Sequence, residues 1–194
     1  MKHCLLLAAF AALLVSRPAA AQDGNKWKPY QFTGNEKYDY KVTMMDGEEK
    51  KEGGFSLDLR NKDGEHWNVT VANSNVMKKT QGAEVLMGNL GLGMSPVMFL
   101  MNPLYGAFIE QVEMKEGEKM SLFGAGVIKV GKKETIGGRS GFACELTMKN
   151  QETQKDEVSW SFWIDTALAL PIKSITYEQG KPKFIFELLS YKKD

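Results

Sequence analysis

The sequence predicts a mainly β protein of the α+β type, built as a curved antiparallel open sheet or half-barrel. Apolar and polar residues alternate with a period of two over much of the chain, as in strands with one face on a core. Gly-containing pairs separate these runs, where hairpin turns belong. The uncharged, Met-rich residues 85–109 interrupt the alternation and predict a short helical insertion that covers the concave face.

The first 21 residues predict a secretory signal peptide. Lys2 provides a positive start, residues 5–15 are an apolar run, and residues 19–21 place three alanines at the cleavage positions. The run is shorter than the roughly 20 residues of a membrane span, so an uncleaved anchor is the less favoured alternative. We therefore expect a periplasmic or secreted protein, cleaved near Ala21.

The rest of the chain predicts one domain. Residues 22–26 are a polar lead-in, and residues 27–194 form the domain, with the insertion at about 83–113. The whole chain has 25 basic and 24 acidic residues, and the two signs are mixed along it. Nucleic-acid binding needs a concentrated basic surface, so we expect no nucleic-acid partner. Cys144 is the single cysteine after residue 21, so the core must supply the stability.

The alternation predicts an antiparallel meander of about eight to ten strands. The strand-like runs lie at residues 38–44, 55–59, 67–71, 128–130, 142–148, 158–164, 172–177 and 184–191. The predicted turns are Asp46-Gly47, Asp63-Gly64, Gly137-Gly138 and Gln179-Gly180. Residues 27–32 also look like a strand. The last run, FIFELLSY, is apolar on both faces, which predicts cover on both sides.

Within the insertion, two serine- or asparagine-proline pairs predict helix starts. Ser95-Pro96 and Asn102-Pro103 combine a good N-cap with a proline, which is tolerated in the first helical turn. We expect two short helices, at about 83–90 or 96–101 and at about 103–113. The two prolines and four glycines of residues 85–109 disfavour a continuous membrane helix.

Three interpretations of this insertion stay open. It covers the sheet as ordinary core, it lines or closes a cavity for a lipid-like ligand, or, least favoured, it spans a membrane. Methionine is flexible and polarizable, which suits an adaptable apolar surface and favours a ligand. The candidate ligand-binding residues of the insertion are Met87, Met94, Met98, Met101, Leu104, Tyr105 and Phe108. From the sheet we add Trp160 and Phe162, which share a face with Val158 and Ile164.

No catalytic constellation is evident, and we expect no enzymatic activity. His66 is the single histidine after residue 21, and its position predicts a surface or strand-edge residue. Cys144 alternates in phase with Phe142 and Leu146, which predicts a buried thiol. One histidine and one cysteine cannot form a zinc site without carboxylates, so we expect no metal and no cofactor. Asp165 is interpreted as the start of a turn.

The chain resembles the LolA/LolB-type superfamily of periplasmic lipoprotein carriers in its order of elements. The resemblance rests on the sequence pattern and order of three stretches, GGRSGFACELTM, VSWSFWID and ALPIKSITYEQGKPKFIFELLSY. It implies an open, curved β half-barrel whose concave face is covered by short helices around an apolar cavity. The carriers begin with a helix ahead of the first strand, and no such helix is visible here. The resemblance transfers no residue roles.

These observations predict a non-enzymatic periplasmic binding protein or carrier for a lipid, an acyl chain or a lipoprotein. The expected partner is a hydrophobic ligand or a lipoprotein acyl chain, with contact to a membrane surface or an envelope protein. The alternative is a structural or interaction module of the cell envelope, with a filled core and no small-molecule ligand. Such a module should expose an apolar patch of several hundred Å².

Overall fold

The computed structural model describes residues 26–76, 108–122, 126–150 and 153–194. Within these residues the chain forms nine strands in one antiparallel sheet, which confirms the mainly β, open-sheet prediction. Most of the insertion predicted at 83–113 lies outside the described residues. Its described end is a single turn, in which the N–H groups of Gln111 and Val112 donate to the carbonyls of Phe108 and Ile109. The prediction that the second helix continues to about residue 113 is therefore wrong, because Glu113 forms a β-bridge with Lys26 instead.

The strands follow the predicted meander, with one addition. They are β1 (Glu36–Asp46), β2 (Glu49–Asn61), β3 (Trp67–Asn75), β4 (Lys119–Ser121), β5 (Gly126–Ile136), β6 (Arg139–Lys149), β7 (Asp156–Ile164), β8 (Lys173–Glu178) and β9 (Lys181–Lys193). Their order in the sheet is β3-β2-β1-β9-β8-β7-β6-β5-β4. Two meanders are therefore joined at the centre of the sheet, where the first strand pairs with the last, and β3 and β4 form the edges.

All four predicted turns are confirmed by backbone geometry. Gly47, Gly64, Gly138 and Gly180 have positive φ angles, which glycine adopts without steric strain. In the β8–β9 turn the residue before the glycine, Gln179, also has a positive φ, of 52°. Left-handed conformations at both central residues are typical of type I′ turns, whose twist matches that of the flanking strands.

Bulges interrupt the pairing at four places, one of which changes the surface. In the β1–β9 pair, Asp39 faces Ser190 and Tyr40 faces Leu188, so Leu189 has no partner. Leu189 is 69% exposed. The expectation that FIFELLSY is covered on both sides is therefore wrong at this residue, because the bulge turns Leu189 into solvent.

The register divides the sheet into two unequal faces. One of them, which we call the apolar face, contains most of the core. Its buried residues include Phe55, Leu57, Tyr38, Tyr40, Phe186, Phe162, Trp160, Cys144, Leu146, Ile128 and Val130. The opposite face is polar at its centre, where the carboxylate of Asp39 accepts hydrogen bonds from Ser56 and Ser190. This asymmetry explains the alternation of the sequence.

The core of the apolar face consists of two clusters. The β5–β7 cluster packs Ile109, Val112 and Met114 onto Ile128, Leu146, Trp160 and Phe162. The β1–β2 cluster packs Leu168, Leu170 and Ile172 onto Tyr38, Tyr40, Phe55 and Leu57. Three segments of irregular structure thus cover the sheet within the described residues: residues 26–33, 108–118 and 165–172.

Residues 27–32 are not a strand, which corrects that expectation. Only Lys26 forms a β-bridge, with Glu113. Trp27 instead lies fully buried in the β5–β7 cluster, and its indole N–H donates to the carbonyl of Leu168 at 2.6 Å. The burial of the large indole ring together with its single polar atom favours this conformation over strand pairing.

Across the described residues, no helix has the length and apolar character that crossing a bilayer requires.

Candidate functional site

Three of the nine predicted site residues fall within the described part of the chain, and the fold brings them together. Phe108, Trp160 and Phe162 all belong to the β5–β7 cluster. The rings of Trp160 and Phe162 stack with centroids 4.1 Å apart. Met87, Met94, Met98, Met101, Leu104 and Tyr105 lie outside the described residues.

Strand β7 holds Trp160 and Phe162 at alternate positions of the apolar face. Phe162 faces Cys144 on β6 and Ser174 on β8, and both flanking residues are small and buried. The indole N–H of Trp160 donates to the Ser174 hydroxyl at 2.7 Å. Because a buried N–H without an acceptor is costly, this bond fixes the orientation of the ring.

Over these two aromatic rings, the described segments pack as ordinary core. Trp27, Ile109 and Met114 are completely buried against the same cluster. Phe108 packs against the same cluster, and at this point the space next to the sheet aromatics is occupied by side chains.

Next to Trp160 the apolar face contains an unusual hydroxyl, that of Thr176. Thr176 pairs with Trp160 on one side and with Phe184 on the other, and Phe184 pairs with Met44. The Thr176 Oγ1 is buried and has no hydrogen-bond partner among the described residues. We call the four residues Met44, Phe184, Thr176 and Trp160 the Thr176 strip.

Burying a hydroxyl without a partner destabilises a protein by about 1–3 kcal/mol. A valine would have a similar shape and avoid this penalty, so the packing of the described residues alone does not account for a threonine at this position. Sequence reasoning missed Thr176 because ITYE reads as an ordinary strand. The available signal was that β8 places Ser174 and Thr176 in phase with the flanking apolar positions.

A second feature is a polar cavity of about 340 Å³ at the other end of the apolar face. It is lined by residues 166–169 and by Lys26, Lys28, Gln31, Thr33 and Glu36. The buried Glu36 carboxylate accepts hydrogen bonds from the Thr33 N–H at 2.9 Å and the Tyr38 hydroxyl at 2.6 Å. Burial, and then Glu36, raise the pKa of Tyr38 well above its usual value. Both Glu36 carboxylate oxygens therefore accept hydrogen bonds from within the protein.

The histidine and the cysteine have the surroundings that the sequence predicts. The His66 side chain is exposed, and its Nδ1 lies 2.9 Å from the Asp63 carboxylate, whose pKa this hydrogen bond lowers. Cys144 is buried, and burial raises the pKa of its thiol to about 12. A thiol with a raised pKa is a poor nucleophile.

Trp163 and Asp165 lie next to each other in sequence but serve different contacts. The Trp163 indole points away from the β5–β7 cluster and donates to the Glu134 carboxylate at 2.7 Å. Asp165 begins a turn, as predicted, and accepts from the Ala167 N–H at 3.0 Å. Among the described residues, no group of three or more histidine, cysteine or carboxylate side chains could hold a metal ion.

No protein-family model, curated protein or solved structure matches this chain. The resemblance to the LolA/LolB-type superfamily therefore stays a prediction.

Proposed function

We propose that the protein is a non-enzymatic envelope protein that binds or carries a lipid or acyl chain, with the ligand on the Thr176 strip. The observation that carries this proposal is the buried, unpartnered hydroxyl of Thr176. Around it the strip is apolar and contains Met44, a side chain that adapts to ligands of varied shape. An acyl chain with a carbonyl or hydroxyl at one end matches both properties.

The course of the chain supports a cover over this strip. Residue 76 follows the edge strand β3, and residue 108 begins in the β5–β7 cluster. β3 and β7 are five strand positions apart in the sheet, roughly 24 Å at the usual strand spacing. In our proposal the intervening residues 77–107 run over the apolar face, with one short helix at about 83–90 or 96–101 and a second that begins at about 103. Met87, Met94, Met98, Met101, Leu104 and Tyr105 contact the ligand.

Binding would follow from burial of apolar ligand surface, which contributes roughly 25 cal/mol per Å². The Thr176 hydroxyl would donate to the ligand's carbonyl oxygen and so orient it. Trp160 would form one wall, because its ring is already fixed by the bond to Ser174. No covalent step is required.

The test replaces Thr176 with valine, which keeps the shape and removes the hydroxyl. We expect Thr176→Val to stabilise the ligand-free protein by about 1–2 kcal/mol in urea unfolding. It should also raise the dissociation constant for a fluorescent fatty acid by about tenfold, which corresponds to one lost hydrogen bond. Thr43→Val is the matched control, since Thr43 is buried beside Met44 but points to the opposite face.

Two results together would contradict the carrier proposal. The purified protein would show no acyl-chain mass under native conditions, and Thr176→Val would leave fluorescent fatty-acid binding as it is in the wild type and in the Thr43→Val control. The alternative, an interaction module with a filled core, is favoured by the packing of Phe108 against Trp160 and Phe162. It predicts that Thr176→Val stabilises the protein while the protein binds no lipid at all.

A further inference from the structure

The edge strand β3 has an unpaired outer side among the described strands. It pairs with β2 over nine residues without a register shift, and it ends the sheet. The opposite edge, β4, contains only three residues. A long edge strand offers a row of N–H and C=O groups to another strand.

Two hydrogen bonds show which residues of β3 face outward. The Lys62 N–H donates to the His66 carbonyl at 2.9 Å, and the Val76 N–H donates to the Glu52 carbonyl at 3.1 Å. In an antiparallel pair, residues that bond to the partner alternate with residues that do not. Even-numbered residues therefore bond to β2, and the N–H and C=O groups of Trp67, Val69, Val71 and Asn73 point away from the sheet.

The side chains of the same residues extend the apolar face. Val69 faces Leu59 and Val71 faces Leu57, both of which are buried. Trp67, Val69 and Val71 are nevertheless 39%, 56% and 45% exposed. The outer edge of the sheet thus combines unpaired backbone with exposed apolar side chains.

Residues 67–76 themselves lack the sequence features that protect an edge strand. Such strands commonly carry a charged residue, a proline or a bulge that blocks pairing with another chain. Residues 67–76, WNVTVANSNV, contain no charge and no proline, and the pairing with β2 has no bulge. Exposed uncharged valines on such an edge favour pairing with another strand.

We propose that β3 pairs with β3 of a second copy of this chain, antiparallel about a two-fold axis at Thr70. In this register Val69 faces Val71 of the second copy, and Trp67 faces Asn73. Each of these four outward-facing residues then pairs with an outward-facing residue of the second copy. The four pairs exchange two hydrogen bonds each, about eight in total. The two apolar faces lie on the same side, so the two sheets continue into one.

A second copy fits this edge better than a charged partner strand. The segment offers no charge for a partner to complement, and self-pairing opposes no like charges. The pairing is also isologous, because both copies contribute the same residues.

Sedimentation of the purified protein without added lipid tests the association. We expect a dimer, and we expect Val71→Lys to raise its dissociation constant at least about tenfold, because two lysines would enter the joined apolar face. Val76→Lys is the matched control, since Val76 is 82% exposed but follows β3 and bonds to β2. It should leave the dimer intact.

Disulfide trapping tests the register. Thr70→Cys should form an intermolecular disulfide on mild oxidation, because directly opposed residues that are not hydrogen-bonded lie about 4.5 Å apart at Cα. Asn68→Cys should not form this disulfide, and the buried Cys144 does not compete.

Three results would each overturn the proposal. They are a protein that stays monomeric at about 100 µM, loss of the dimer in Val76→Lys, and trapping by Asn68→Cys but not by Thr70→Cys. None of these results depends on lipid binding.

Discussion

At the scale of single residues, buried polar atoms on the apolar face generally have partners. The Trp27 indole donates to Leu168, the Trp160 indole to Ser174, and the Tyr40 hydroxyl to the Pro171 carbonyl. Thr176 departs from this pattern. The alternation of the sequence was enough to predict the burial of Cys144, Trp160 and Phe162. It could not reveal Thr176, because a missing partner depends on three-dimensional neighbours.

The buried thiol predicts a pH dependence of stability. Burial raises the pKa of Cys144 from 9.0 to about 12. Between these values the unfolded chain loses the thiol proton while the folded chain keeps it, so stability is full below pH 9 and falls as pH rises above it. The thiol's contribution should fall by about 1.4 kcal/mol per pH unit.

Urea unfolding of the wild type and Cys144→Ala at pH 8 and pH 10 measures this contribution. The wild type should lose more stability between the two pH values than the variant, which controls for the tyrosines. Equal losses would contradict the burial of the thiol. A thiol reagent at pH 8 should react with the wild type only at its rate of unfolding.

At the scale of elements, strands and turns followed from local signals, whereas covering segments did not. All four turns carry glycine at the position that needs a positive φ. The three-residue β4 was missed because it is too short to show a period. Residues 27–32 were misread because Trp27 is held by Leu168, more than a hundred residues away.

The β8–β9 turn offers a stabilising substitution. Gln179 adopts a φ of 52°, a left-handed conformation that is unfavourable for most side chains and easier for asparagine. We expect Gln179→Asn to stabilise the protein by about 0.5–1 kcal/mol in urea unfolding. Gly180→Ala should destabilise it by about 1 kcal/mol, because φ is 73° there. A stabilising Gly180→Ala would show that this turn has another geometry.

At the scale of the whole molecule, the two clusters of the core are joined by residues 27–30. Trp27 packs in the β5–β7 cluster but donates to Leu168 of the β1–β2 cluster. Tyr30 packs against both clusters, and its N–H donates to the Ala169 carbonyl at 3.0 Å. This short segment therefore couples the two halves of the sheet.

Truncating Trp27 should lower the free energy of unfolding of the whole domain. We expect Trp27→Ala to destabilise the protein by about 3–5 kcal/mol, and Trp27→Phe by about 1–2 kcal/mol, since phenylalanine keeps most of the packing but loses the hydrogen bond. Thermal unfolding followed by tryptophan fluorescence and by far-UV circular dichroism measures both. If Trp27→Ala unfolded like the wild type, the segment would not contribute to the core.

The pairing of β1 with β9 has a consequence for how the chain folds. The register joins Glu36 to Lys193, so the central pair of the sheet closes a loop of nearly the whole domain. Until β9 has left the ribosome, β1 and β8 each lack a neighbour, and the two meanders remain separate hairpin units. Long-range closure of this kind slows folding. The last strand to be synthesised is therefore the one that completes the sheet.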